Sequence, residues 1–100
     1  MTSYFLSDFA KRELDDIWDF YFENVSQSEA NRRVAHLSDH FELLTEFPHM
    51  GRARPEYAPS IRSHIAQPYV IWYYIWPAQI EISRIVHGSQ DVSLIFADVS

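Results

Sequence analysis

No cysteine occurs in the 100 residues, which excludes disulfides and thiolate metal sites and leaves the core alone to hold the fold. Glycine is almost as scarce: Gly51 and Gly88 are the only two, too few for a loop that cradles phosphate on successive backbone amides. No G-x-S-x-G elbow is present to expose a serine nucleophile. No apolar run reaches the roughly 20 residues that span a bilayer. The opening Met-Thr-Ser-Tyr-Phe-Leu-Ser-Asp also lacks the basic-then-apolar order of a secretory leader. A cytoplasmic chain without a membrane partner is therefore expected. Positive charge is short as well, with 8 lysines and arginines against 14 acids and a net charge of -6. The whole excess lies in residues 1–50, because Arg52, Arg54, Arg62 and Arg84 balance Glu56, Glu81, Asp91 and Asp98 in the second half. Nucleic acid repels such a chain at long range, so direct sequence-specific DNA binding is not expected.

What is present is apolar and aromatic, at 47% and 16% of residues, enough for one core in one domain over residues 1–100. The densest stretch is Tyr69 to Gly88. Eight β-branched or aromatic residues in succession, Tyr69 to Trp76, are too stiff at χ1 to favour helix and pack well on a pleated surface. Pro77-Ala78 then pre-sets a reversal. The reading is a β-hairpin, Tyr69–Trp76 and Gln79–His87, at the middle of a sheet, since both faces of its first arm are apolar.

Around it, Ser7 and Asp8 mark a helix start, and Ala10, Leu14, Ile17 and Tyr21 fall on one face of a helix over Asp8 to Asn24. Its many acids read as a solvated face. Ser26-Gln27-Ser28-Glu29 matches a capping box, and Ala30, Val34, Leu37, Phe41 and Leu44 continue a second helix to Phe47-Pro48. A connection of about three residues makes the two an antiparallel hairpin, whose apolar stripes need the sheet as partner. Pro48 to Pro59 reads as a constrained surface loop. Ser60 to Ala66 is a strand with Ile61 and Ile65 on one side and Arg62 and His64 on the other. Residues 89–100 suit neither template cleanly and read as a short helix or an edge strand, with the strand preferred. The fold class is α+β, in the order β-α-α-β-β-β, with an N-terminal helical hairpin packed on a twisted, mainly antiparallel sheet.

Four guanidiniums, Arg52, Arg54, Arg62 and Arg84, are suited to bidentate capture of phosphate or carboxylate, or to pairing with Glu56 and Glu81. Arg84 shares the alternation of Ile80 and Ile82, but Ile85 breaks it, so a bulge is expected to re-aim the arginine. The second arm is expected to present Arg84 and His87 at the end nearest the arginine loop, with His87 placed for proton transfer or for a structural hydrogen bond. His36 and His40 have the i,i+4 spacing of a metal clamp without a third ligand in a known pattern; neither metal nor cofactor is expected. The second face of the first arm, Trp72, Tyr74 and Trp76, is left to meet a partner segment.

The order helix, helix, P-x-x-G-R-x-R loop (Pro48, Gly51, Arg52, Arg54), I-R-S strand (Ile61 to Ser63), Y-V-I-x-Y strand (Tyr69 to Tyr73) and I-E-I-x-R-I-x-H-G (Ile80 to Gly88) resembles the ParE/RelE superfamily of toxins from type II toxin-antitoxin pairs. The A-x-x-x-L-x-x-I of helix one and Tyr21 extend the match. The resemblance implies a toxin neutralised by a cognate antitoxin, ParD-like or similar, in a hetero-oligomer. ParE-like members poison DNA gyrase by binding, without nuclease chemistry of their own; RelE-like members cleave mRNA on the ribosome. Arg62 and Arg84 match active-site arginines of the RelE branch, with His87 or His64 as further proton-transfer candidates, while His87 also matches the H-G common in ParE-like chains. The lack of lysine after Lys11, the lack of tyrosine after Tyr74 and the net charge of -6 favour the ParE branch, a binder and not an enzyme. The alternatives are a RelE-like endonuclease and a non-toxic interaction module that kept the fold.

Overall fold

The computed structural model describes residues 3–96. The elements run β1 (Tyr4–Leu6), α1 (Asp8–Asn24), α2 (Gln27–Glu46), β2 (Arg52–Ala53), β3 (Arg62–Ala66), β4 (Tyr69–Ile75), β5 (Ile80–His87) and α3 (Val92–Phe96). The expected α+β order holds. Strands are ordered β1-β5-β4-β3-β2, so the aromatic arm β4 is central; β1 lies parallel to β5 and every other pair is antiparallel.

Both helix starts are built as their sequences require. The Ser7 hydroxyl accepts from the Ala10 amide, and that of Ser26 accepts from the Glu29 amide, each at 3.0 Å. The capping box at Ser26 is only half made. Glu29 turns its carboxylate to Arg32 and Arg33 at 2.7 and 2.9 Å, while the Ser26 amide donates to the Tyr21 carbonyl. A charged guanidinium is the stronger partner for a carboxylate than a neutral amide. Helix α2 stops at Phe47, before Pro48.

The helices bury Ala10, Ile17, Leu37, Phe41 and Leu44 against Ala66, Ile71, Tyr73, Ile80, Ile82 and Ile85 on one face of the sheet. Each large side chain fully buried there contributes about 1.5–3 kcal/mol. The other face carries a second cluster of Ile61, Trp72, Val86 and Phe96. That cluster is closed by α3, the short helix and not the preferred edge strand of the two conformations this segment allowed. Asp91 accepts from the Ser93 amide at 3.0 Å, as an N-cap does. Val92, Ile95 and Phe96 then fall at helical spacing over Trp72. Residues 97–100 lie outside the described residues. The loop after α2 also differs from expectation, since β2 within it pairs with Arg62 and Ser63.

The alternation of β3 is as read, but its polar side is the one that faces the helices. Arg62, His64 and Ala66 stand opposite Tyr73, Ile71 and Tyr69 on the helix side. Ile65, on the other side, is 65% exposed, because only the Ile61 end of that face is covered.

We expect Phe96→Ala to lower unfolding stability by about 2 kcal/mol, less than for a deep-core phenylalanine because a helix of one turn can detach locally instead. Urea unfolding followed by fluorescence checks this, and an unchanged midpoint would mean that α3 does not close the second cluster.

Candidate functional site

The bulge anticipated at Ile85 exists. Trp72 pairs with Arg84 and Tyr73 with Ile82, leaving Ser83 as the extra residue on β5. Ile82 and Ile85 therefore both face the helices, and Arg84 is freed from the strand's alternation. Because β1 covers β5 only from Ile80 to Ile82, the outer edge beyond it is open, and Arg84 crosses that edge to α1. Its Nη2 and Nε donate to Glu13 at 2.9 and 3.2 Å, and the same carboxylate accepts from the Ile85 amide at 2.8 Å. The guanidinium also lies over the Phe9 ring, 5.2 Å from its centre.

The other arginines go elsewhere. Arg62 donates to the carbonyls of Gly51 at 2.7 Å and His49 at 3.2 Å, fastening the loop after α2. Tyr73 works beside it, donating to the Pro48 carbonyl at 2.6 Å and accepting from the Gly51 amide at 3.0 Å. Burial pushes the Tyr73 phenol above its ordinary range, with the Gly51 amide and Arg62 opposing. Arg54 turns to the second face, pairing with Glu56 at 2.9 Å, reaching Ser63 Oγ at 3.3 Å, and lying over the rings of Tyr57 and Trp72. Arg52 is exposed in β2. His87 hydrogen-bonds Ser89 through Nδ1 at 2.8 Å and stands edge-on to Tyr69. The register of the strands places His87 at the Tyr69 and Ala66 end of the sheet, whereas β2 pairs at the Arg62 and Ser63 end. The expectation that Arg84 and His87 lie nearest the arginine loop is thus corrected for His87: antiparallel pairing carries it to the opposite end.

Of the three aromatics assigned to a partner surface, Trp72 is 1% exposed, sealed under Tyr57 and Phe96. Tyr74 and Trp76 remain accessible, stacked with ring centres 5.8 Å apart. Burial, and then Glu81, pushes the Tyr74 phenol up. Trp76 is fixed by its indole N–H, which donates to Glu81 at 2.8 Å. Phe5 from β1 joins them on this face, and Phe5, Trp76, Pro77, Ala78, Gln79 and Glu81 line an open depression of about 490 Å³. Phe5 was not singled out from sequence, and Glu81, read there as an arginine partner, holds Trp76 instead. The signal was the alternation of β1, in which Tyr4 and Leu6 turn inward and Phe5 outward.

A helical hairpin laid across one face of a β1-β5-β4-β3-β2 sheet is the fold expected of the ParE/RelE superfamily of toxins that the sequence resembles. Within that class the chain belongs to the ParE toxin family of type II toxin-antitoxin systems (parDE), whose family model matches residues 4–92. It is similar to Toxin ParE1 of Caulobacter vibrioides, 29% identical over 91% of this chain and 94% of that one. Toxin ParE1 of Mycobacterium tuberculosis is 27% identical over 91% of this chain and 94% of its own. A chain of the chromosomal ParDE system from P. aeruginosa shares the fold, with a TM-score of 0.74 and 22% identity over 87% of this chain and 95% of that one.

Proposed function

We propose that this toxin acts in the cytoplasm as a single-domain inhibitor of DNA gyrase, by binding and not by cleavage, and that a cognate ParD-like antitoxin neutralises it. Family membership supports the toxin and its pairing. The observation that favours binding over cleavage is the dispersal of the arginines. A ribosome-dependent nuclease needs cations and an acid-base group gathered on one phosphate. Here Arg62 is spent on loop carbonyls, Arg84 on Glu13, and Arg54 on Glu56. Arg52 and His87, at opposite ends of the sheet, remain candidates for target contact.

A supercoiling assay with purified gyrase, run beside ribosome-programmed mRNA cleavage, tests the reading. Loss of supercoiling with intact mRNA is expected. Cleaved mRNA with normal supercoiling would replace it with the endonuclease reading, and silence in both would favour a non-toxic module. For the antitoxin, the strip of Phe5, Tyr74 and Trp76 is the proposed seat, since exposed aromatics on a rigid sheet are efficient anchors. The pair Tyr74→Ala and Trp76→Ala is expected to weaken antitoxin binding by about 30-fold, the effect of roughly 2 kcal/mol at an anchor. Calorimetric titration with the antitoxin measures it; unchanged affinity would move the seat to another face.

A further inference from the structure

Helix α2 and strand β3 meet through two imidazoles. Nδ1 of His40 lies 2.8 Å from Nε2 of His64, and His36, one turn earlier, stands edge-on to His40 at 4.7 Å between ring centres. Among the described residues no other side-chain hydrogen bond joins α2 to β3. A hydrogen bond between two ring nitrogens holds one proton, with one nitrogen donating and the other keeping its lone pair. A neutral pair meets that condition. A pair with one added proton meets it too, because the imidazolium still finds a lone pair opposite. Once both facing nitrogens carry protons, two N–H groups point at each other and two positive charges stand side by side.

We propose that His40 and His64 are a proton-operated clasp, closed with one proton between their facing nitrogens and open with a proton on each. The surroundings favour the closed state at neutral pH. Burial is the largest influence holding both imidazoles below the ordinary histidine range; His36 adds to it at His40 while Asp39 opposes it, and at His64 the second influence is His40 itself. From β4, Ile71 stands opposite His64 and offers no charge. Arg62, two residues along β3 on the same side, is engaged by the carbonyls of His49 and Gly51. No group facing the pair except Asp39 therefore favours its charged form.

The direction of the pH effect follows. A fold that prefers neutral imidazoles binds fewer protons than the unfolded chain below about pH 6.5, so the stability from the clasp is full above that value and is lost as the pH falls below it. Opening loosens the second half of α2 against β3, while Arg62 and Tyr73 keep their own hold on the loop that follows.

Hydrogen exchange on the whole protein, corrected for intrinsic rates and compared at pH 7.5 and pH 5, reads this directly. Protection over the second half of α2 and over β3 should fall by at least about tenfold relative to β5, the equivalent of one pK unit. His64→Gln keeps a hydrogen-bonding side chain that does not titrate, and should lose most of that pH response; His49→Gln, outside the clasp, should keep it. Nitrogen chemical shifts of the wild-type imidazoles should show one protonated and one bare facing nitrogen at pH 7.5. An equal pH response in wild type and His64→Gln, or two bare facing nitrogens at pH 7.5, would overturn the clasp.

Discussion

Gly51→Ala should lower unfolding stability by about 3–4 kcal/mol, the largest loss we expect from a single methyl group in this chain. Gly51 is buried between β3 and the centre of the sheet. A Cβ there would stand 2.8 Å from the backbone oxygen of Ser63 and closer still to the ring edge and hydroxyl of Tyr73. The glycine is required for space and not for a left-handed backbone. Relief must come from Tyr73, which is fully buried and holds hydrogen bonds to the Gly51 amide and the Pro48 carbonyl. Overpacking costs about 1–3 kcal/mol, and each hydrogen bond lost from a buried group adds about 1. Tyr73→Phe, which removes both bonds without adding volume, should cost about 2 kcal/mol. Urea denaturation of the two variants checks the order. If Gly51→Ala proved the milder one, the loop would be able to lift away and the packing argument would fail.

Glu13→Ala should cost about 3 kcal/mol, although Glu13 is one of many acids on α1. Its carboxylate serves two groups, the Arg84 guanidinium and the Ile85 amide at the uncovered edge of β5. Both side chains are about one-fifth exposed, at 19% for Arg84 and 20% for Glu13. Removing one partner strands the other charge and an edge amide together, so the cost falls at the low end of the range for a buried pair. Glu13→Gln keeps an acceptor for the Ile85 amide and should cost about 1–2 kcal/mol. The comparison also decides how to read Arg84. A contact made by Arg84 with a target requires Arg84→Ala to abolish growth arrest at temperatures where circular dichroism shows the fold intact. If arrest is lost only in step with unfolding, and Glu13→Ala does the same, the arginine acts by fastening β5 to α1.

The sequence by itself determined the elements that rest on local physics. Periodicity and hydroxyl caps set both helices, α1 at Asp8–Asn24 as read. The run Tyr69 to Trp76 with Pro77-Ala78 behind it set the central hairpin, and Ile85 out of phase set the bulge. These signals are legible because each depends on residues a few positions apart. Tertiary structure alone decided the roles of the polar side chains, since their partners are remote in the chain. Glu13 looked like one more solvated acid until β1 stopped short at Ile82 and left the Ile85 amide beside it. Trp72 looked like a contact residue until a single turn of helix at Val92–Phe96 closed over it. His36 and His40 looked like a metal clamp lacking a third ligand, and β3 brought His64 to His40 as a hydrogen-bond partner instead. Hydrophobic burial fixes which elements form and which faces meet, and it acts through a pattern any window of sequence displays. Hydrogen bonds and charge pairs need atoms within about 3 Å, and only the closed fold brings those atoms together.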